Sequence, residues 1–342
     1  MNKNKNMDNF KEIGSKVTID LSAVLVTLSD GVPKVLLIEN NTTDNLINHR
    51  LPFGPFNPTL HRTMEESVRK WVLEQTSLNL AFVEQLYTFG DRFRGGVYDD
   101  FKVIPVSVGY LALIRQTISD NHTSLIWLDW YKFFPWEDWR NGQPKILDYL
   151  IQPKLMEWIE KAKNNSSKLE RRYRAEVAFG FSDFGWDADR VLERYELLYE
   201  TGLVSESLID AQILLPNNID EIHNSTGLPL YQDHRRILAT ALGRLRGKIR
   251  YRPVIFELMP EVFTLFELQK VVEALSGEKL HKQNFRRLVA TEGLVEQTEM
   301  VSEETGGRPA KLYRFRREVI REKPSPGVRF SRNRVKNKNN GF

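Results

Sequence analysis

The stretch that decides the fold is Phe263-Thr264-Leu265-Phe266-Glu267-Leu268, in the last quarter of a 342-residue chain. Thr264 and Glu267 have the spacing of a capping box, in which the Thr hydroxyl accepts a bond from a first-turn amide and the Glu carboxylate accepts one from the Thr amide. The two apolar residues that flank the box form a hydrophobic staple. The pattern predicts a helix that begins after Thr264 and ends at Gly277.

A second helix is predicted directly after the first, over Lys282–Thr291, because Phe285, Leu288 and Val289 give it one apolar face. Two short strands, Val295–Met300 and Lys311–Arg316, follow it. Two helices joined by a turn and followed by a β-hairpin have the order of a winged helix-turn-helix, which binds double-stranded DNA.

The outer face of the second helix carries long polar side chains at positions i, i+1, i+4 and i+5, the spacing that reaches base edges in a major groove. The alternative is an ordinary solvated helix face. We predict DNA contacts for this face, for the hairpin and for a preceding basic helix over Gln232–Gly247. The predicted residues are Lys282, Gln283, Asn284, Arg286, Arg287, Arg308, Lys311, Arg235 and Arg236.

The charge distribution agrees with a nucleic-acid partner. The net charge is only +4, but residues 228–342 hold 24 Lys and Arg against 13 Asp and Glu, so that an acidic body precedes a basic third. Such an asymmetry favours a polyanionic partner. The tail from residue 327 is basic and is expected to be flexible.

Composition excludes several other classes of protein. The chain has no Cys, so disulfides and thiolate zinc sites are excluded, and its six His lack metal-ligand spacing. We therefore predict no metal site. The longest nearly apolar run, Val103–Ile114, is too short to span a bilayer. The polar start of the chain contains no apolar segment typical of a signal peptide, so a cytoplasmic protein is expected.

The first half of the chain has the pattern of an α+β domain. Strands are predicted over Val17–Leu28, Lys34–Ile38, Phe82–Gly90 and Val103–Ile114, and a helix over Met64–Gln75. This order predicts a sandwiched α/β domain. Residues 127–186 then hold six of the seven Trp. We expect these rings to pack a helical insert rather than to form a ligand cage.

Seven motifs in order resemble the NrtR-type Nudix-related regulators of NAD metabolism, and the intervening segment resembles their longer NadQ-like relatives. The resemblance covers residues 17–115 and 228–320. The motifs are Glu84–Asp91, Val106–Leu113, Asp233–Leu238, Arg246–Pro253, Phe263–Gln269, Asn284–Arg287 and Gly307–Tyr313.

The resemblance implies a multi-domain α+β protein, and we predict its boundaries from the motifs. The predicted segments are a disordered arm over 1–16, a Nudix-like sensing domain over 17–135, a Trp-rich helical insert over 136–227, a basic linker helix over 228–253, a winged helix domain over 254–322 and a basic flexible tail over 323–342.

The Nudix box departs from that of Nudix hydrolases, which hold a divalent metal with several Glu on one loop and helix. When Thr76-Ser77-Leu78 is aligned with the end of the box, three carboxylate positions hold Arg62, Trp71 and Gln75, and Glu74 alone remains. Lys70 stands where the box has Arg. We therefore predict no catalytic residues and a domain that binds a nucleotide without hydrolysing it.

The family resemblance implies a dimeric repressor of NAD biosynthesis or salvage genes that binds an inverted repeat. Its effector is expected to be an adenine nucleotide related to NAD, such as ADP-ribose, NAD or ATP, and no cofactor is expected. Two alternatives stay open: a Nudix-type pyrophosphohydrolase with a nucleic-acid-binding region, and a structural nucleic-acid binder without a sensor. Six residues are candidates for the ligand pocket: Arg50, Phe53, Arg62, Lys70, Arg92 and Arg94.

Overall fold

The computed structural model describes residues 16–39, 47–91, 103–115, 124–211, 225–251, 254–302 and 309–316. The predictions for the amino-terminal arm, the basic tail, Arg92, Arg94 and Arg308 lie outside these residues. No described helix combines the length and the hydropathy that a bilayer crossing requires.

The first half of the chain forms a seven-stranded mixed sheet around one long strand. This central strand pairs in parallel with one neighbour and antiparallel with two others. The strands are β1 (Lys16–Ser29), β2 (Val32–Glu39), β3 (His49–Arg50), β4 (Phe53–Pro55), β5 (Phe82–Phe89), β6 (Val103–Leu113) and β7 (Leu125–Asp129).

Strand β1 is central because it is apolar on both faces. Leu21 and Leu25 point to one face of the sheet, whereas Val24 and Val26 point to the other, as the two-residue period of a strand requires. The first face packs under helix α1 (Met64–Thr76). The second face packs against the rest of the protein, so the predicted α/β sandwich is confirmed.

The helical insert follows the sheet and consists of α2 (Gln152–Glu160), α3 (Asn165–Phe179), α4 (Val191–Glu200) and α5 (Ser205–Asp210). Asp187 precedes α4 but does not cap it. Asp187 Oδ1 accepts a bond from the Asp189 amide at 3.1 Å, and α4 begins only at Val191. The Asp187 carboxylate is therefore used in a local Asx-type bond before the helix begins.

The Trp residues of the insert region pack in the core. Trp130 and Trp136 are fully buried, and Trp139 and Trp186 lie with ring centroids 4.6 Å apart. Their side chains fill the space between the sheet and the insert helices, which agrees with the predicted packing role.

The carboxyl-terminal unit has the predicted winged helix order. It follows a long helix, α6 (His234–Tyr251), and contains α7 (Leu265–Ser276), α8 (Lys282–Glu292) and a sheet in the order β8 (Phe263–Thr264), β10 (Ala310–Phe315) and β9 (Val295–Ser302).

The capping box that predicted α7 is present. The Thr264 amide donates to Glu267 Oε2 at 2.6 Å, and the Glu267 amide donates to Thr264 Oγ1 at 3.1 Å. Gly277 ends the helix with φ +74°, a left-handed conformation that favours glycine.

One continuous hydrophobic core joins these units. It includes Val24 of the sheet, Trp136 before the insert helices, Leu242 of α6 and Val272 of α7. The segments predicted from sequence therefore meet in a shared interior, and their exact boundaries stay a prediction.

Helix α1 ends at Ser77 in a left-handed conformation, with φ +59°. Such a conformation costs an L-residue about 1–2 kcal/mol, part of which glycine avoids at the expense of chain entropy. We expect Ser77→Gly to raise the free energy of unfolding by about 0.5–1 kcal/mol, measured by urea denaturation. Gly277→Ala is the opposite case and should lower the free energy of unfolding, because a Cβ there would lie 2.5 Å from the Glu137 carbonyl oxygen. A Ser77→Gly variant less stable than the parent protein would contradict the argument.

Candidate functional site

Helix α8 presents a polar face to solvent. Phe285 and Val289 are buried and hold the helix against the winged helix core. The opposite face consists of exposed side chains, and these are the five residues that sequence predicted on this helix: Lys282, Gln283, Asn284, Arg286 and Arg287. An exposed, cationic face on a helix docked by apolar residues has the form that enters a major groove.

The hairpin carries one more of the residues predicted to contact DNA. Lys311 is exposed on β10, and its Nζ lies 3.2 Å from Gln297 Oε1 on β9. The two strands pair antiparallel next to α8, so Lys311 belongs to the wing.

The two predicted DNA contacts on helix α6 are contradicted by the structure. Arg235 is fully buried, donates to the Phe133 carbonyl at 3.0 Å and pairs with Glu206 at 3.1 Å. Arg236 is largely buried and pairs with Asp91 and Glu196. The reason is that α6 lies between the sheet and the insert, where carboxylates of other elements pair with its cations. A helix pattern alone does not show those partners.

Sequence reasoning missed a buried charged cluster at the same helix. Glu137 forms ion pairs with both Arg194 and Arg246, and all three side chains are at most 1% exposed. Arg246 follows Leu238 and Leu242 at four-residue intervals, so it continues the apolar stripe of α6. A cation on an apolar stripe is the sequence signal by which this buried ion pair could have been found.

The cluster reaches the turn of the winged helix. The Tyr131 hydroxyl donates to the Ala274 carbonyl at 2.8 Å, and Arg246 Nε donates to the Leu275 carbonyl at 3.3 Å. Burial raises the pKa of Tyr131, so its hydroxyl stays protonated and remains a donor. These bonds satisfy carbonyls at the end of α7, which no intrahelical amide can reach.

The predicted ligand residues are only partly brought together. The guanidinium of Arg50 lies 5.4 Å from the ring centroid of Phe53. Phe53 also contacts Tyr231 and His234, with ring centroids 5.8 and 5.0 Å away. At this edge of the sheet, the aromatic ring can stack on a base and the neighbouring guanidinium can pair with a phosphate.

Arg62 and Lys70 lie elsewhere on the surface. Both are exposed, and Lys70 Nζ is 3.8 Å from Glu74 Oε1 within α1. Among the described residues, neither forms a hydrogen bond or ion pair with Arg50 or a ring contact with Phe53. Their part in a ligand pocket stays a prediction.

Trp71 and Gln75, two further positions of the predicted Nudix box, hold α1 against β4. Gln75 Nε2 donates to the Phe53 carbonyl at 2.6 Å, while its Oε1 accepts from the Phe53 amide at 3.2 Å. Trp71 Nε1 donates to the Pro55 carbonyl at 3.1 Å, and its ring occupies the space that a Cβ on Gly54 would need. In the part of the chain that the structure describes, no group of three or more His, Asp or Glu could hold a metal ion.

Comparison with known proteins supports this arrangement. Residues 255–315 match the family model of the NrtR DNA-binding winged helix domain. The crystal structure of Shewanella oneidensis NrtR complexed with a 27mer DNA aligns with 91% of this chain and 98% of its own, with a TM-score of 0.52 and 21% identity. The chain has the NrtR fold.

The same fold is found in Shewanella oneidensis NrtR without DNA, with a TM-score of 0.51 and 20% identity over 91% of this chain. The NrtR resemblance that the sequence motifs indicated is thereby confirmed. A curated relative, the ADPR responsive transcriptional repressor NtrR of Acinetobacter baylyi, is 46% identical over 88 residues. This match spans 26% of the chain and about a third, 35%, of that relative.

His234 joins the start of α6 to the sheet of the NrtR fold. The Leu51 amide donates to its Nδ1 at 3.0 Å, so Nε2 carries the proton and faces Ser22 Oγ at 3.4 Å. Burial, together with the nearby charge of Arg50, lowers the pKa of His234 from 6.5 to about 3.

We expect the protein to lose stability as the pH falls below about 6.5. The unfolded chain then binds a proton at residue 234, whereas the folded protein does not bind it until about pH 3. At pH 5 this amounts to about 2 kcal/mol, measured by urea denaturation at pH 7.5 and pH 5.

His234→Gln keeps an acceptor and a donor but does not titrate, so it should reduce the difference in stability between the two pH values. An unchanged difference in this variant would contradict the assignment, as would an NMR titration of His234 near pH 6.5.

Proposed function

We propose that this chain is a transcriptional repressor that binds double-stranded DNA through α8 and the wing and responds to a nucleotide bound by its Nudix-like domain. The observation that carries the proposal is the exposed cationic face of α8 within a domain that matches the NrtR DNA-binding winged helix. The fold shared with a DNA-bound NrtR over 91% of the chain supports it.

The partner is an inverted DNA repeat bound by a homodimer. One winged helix covers few base pairs, and a two-fold dimer places two recognition helices on successive major grooves of a symmetric site. The resemblance to regulators of NAD metabolism directs the search for targets to genes of NAD biosynthesis or salvage.

The effector we propose is ADP-ribose, with NAD and ATP as the related nucleotides to compare. The name of the Acinetobacter relative describes a repressor that responds to ADPR, and this chain is 46% identical to it over 88 residues. The pairing of Phe53 with Arg50 supplies a stacking surface and a cation for such a ligand.

The proposed domain binds its nucleotide without hydrolysing it. Trp71 and Gln75, at positions where the Nudix box has Glu, make bonds to the β4 strand and cannot ligate a metal. Glu74 is exposed and lies beside Lys70. A single carboxylate does not assemble the metal cluster that activates water against a pyrophosphate.

Effector and DNA are coupled through α6. Its first turn is bound to the sheet by His234, and its last turns reach the end of α7 through Arg246. A shift of α6 on ligand binding would therefore move α8, and with it the spacing of the two recognition helices in a dimer. A ligand gains control only by favouring one of those spacings.

The DNA proposal is tested on a duplex selected by the full-length protein from a random library. Arg287→Ala and Gln283→Ala should each weaken binding to the selected duplex by about 1–3 kcal/mol, with little effect on random DNA, because they contact base edges. Arg172→Ala, which changes a partly exposed arginine of α3, is the matched control. Equal losses on selected and random duplexes would contradict base recognition.

The effector proposal is tested by calorimetry with ADP-ribose, NAD and ATP, followed by titration of the selected duplex with and without each nucleotide. We expect ADP-ribose to bind and to change DNA affinity by about 5–150-fold, a typical coupling. Phe53→Leu should weaken nucleotide binding because the stacking surface is lost. Arg62→Ala and Lys70→Ala then show whether the exposed cations take part.

Incubation with Mg²⁺ or Mn²⁺ is the matching chemical control, and we expect ADP-ribose to remain intact. Metal-dependent turnover that Glu74→Gln abolishes would show an enzyme and overturn this part of the proposal. Tight nucleotide binding that leaves DNA affinity unchanged would leave only the DNA-binding function.

A further inference from the structure

A loop before the insert helices lies against the turn between α7 and α8. This insert loop comprises residues 139–145. The Trp139 amide donates to the Gly277 carbonyl at 2.7 Å, and Trp139 pairs with Glu278 in a parallel β-bridge. The insert loop is therefore hydrogen-bonded to the backbone of the helix-turn-helix itself.

The buried cluster fixes this contact. Glu137, two residues before the loop, is bound by Arg194 and Arg246, and its carbonyl oxygen accepts from Arg246 Nη2 at 3.0 Å. Gly277 approaches the same carbonyl so closely that an added Cβ would lie 2.5 Å from it. The loop and the turn consequently move together with the start of α8.

A groove of about 600 Å³ separates the outer parts of the two segments. Its lining includes Trp139, Arg140, Asn141 and Gly142 from the loop and Glu278 and Lys279 from the turn. Asn141 and Lys279 are exposed, and open space surrounds Gly142, where an added Cβ would have no neighbour within 4 Å.

The cation of the loop is held in place before any ligand arrives. Arg140 Nε and Nη2 each donate to Asp138 at 2.8 Å, and the guanidinium lies 4.9 Å from the ring centroid of Tyr131. Lys279 adds a second positive charge, and Glu278 adds the one carboxylate of the lining. Because Asp138 already pairs with Arg140, the groove offers phosphate the exposed Lys279 ammonium and the Asn141 amide, two donors that suit an oxyanion such as a phosphate diester.

We propose that the insert loop and Lys279 bind the DNA backbone at the edge of the major groove that α8 enters, an inference that rests on the proposed function. Phosphates line both edges of a groove about 12 Å wide, so residues just before a recognition helix lie at an edge when its first turn contacts bases. Lys279 stands three residues before Lys282, the first residue of α8. The Trp-rich insert thus extends the DNA-binding surface.

The test measures the affinity of the full-length protein for the selected duplex and for a random duplex as a function of KCl concentration. Lys279→Gln should weaken binding to both duplexes alike and reduce the slope of log K against log salt by about one. Asn141→Asp should also weaken both, because a carboxylate then faces phosphate. Glu278→Gln should have the opposite effect and strengthen both.

Two controls separate this inference from the proposed function. Lys163→Gln removes an exposed lysine between α2 and α3 and should leave the salt slope unchanged. Arg287→Ala should reduce binding to the selected duplex alone. If Arg287→Ala has this effect while the loop and turn variants behave like Lys163→Gln, the insert loop does not touch DNA and the proposed function stands. If the parent protein binds neither duplex, both proposals are wrong.

Discussion

The Glu137 carboxylate, buried between two arginines, is the interaction on which the arrangement of the units depends. Arg194 comes from the insert and Arg246 from α6, so one acid joins the segment after the sheet, the insert and the long helix. Loss of one partner of a buried ion pair typically costs about 3–5 kcal/mol, because the remaining charge is left without water. Such a cluster confers a single geometry more than it confers stability.

That geometry packs the winged helix against the rest of the protein instead of leaving it on a free linker. Carbonyl groups at the end of α7 accept hydrogen bonds from Tyr131 and Arg246, and the turn before α8 forms a β-bridge with Trp139. The recognition helix is thereby oriented by groups that belong to the sheet side of the molecule. The proposed coupling between ligand and DNA then requires movement of packed elements with few alternative positions, which favours two discrete states.

Local patterns predicted the elements of this fold well. The capping box and staple placed α7 correctly, and the alternation of apolar residues placed β1 and β6, because both signals depend on neighbours in sequence. The exposed face of α8 was predicted for the same reason: Phe285 and Val289 decide which side is buried, and the polar residues between them follow.

Long-range partners were beyond such reasoning. Arg235 and Arg236 are cations of the kind expected on a DNA-binding helix. In the structure they pair instead with Glu206 and Glu196, which come from other elements. The same limit applies to the proposed ligand pocket, where Phe53 and Arg50 meet Tyr231 and His234 from a segment about 180 residues away. Sequence spacing carries no record of these encounters.

Gln75 would make the predicted loss of a Nudix-box carboxylate hard to reverse. Its amide bonds to both the amide and the carbonyl of Phe53, as a strand neighbour would. A glutamate at this position would accept from the Phe53 amide but would face the Phe53 carbonyl with a second oxygen, and two acceptors repel each other. A glutamate would therefore lose one of the bonds that join β4 to α1, while the Trp71 bond to the Pro55 carbonyl would remain. In the proposed box, the side chain that stands in place of a metal ligand is thus also one that holds the strand to the helix, so regaining the ligand would loosen the scaffold that has to position it.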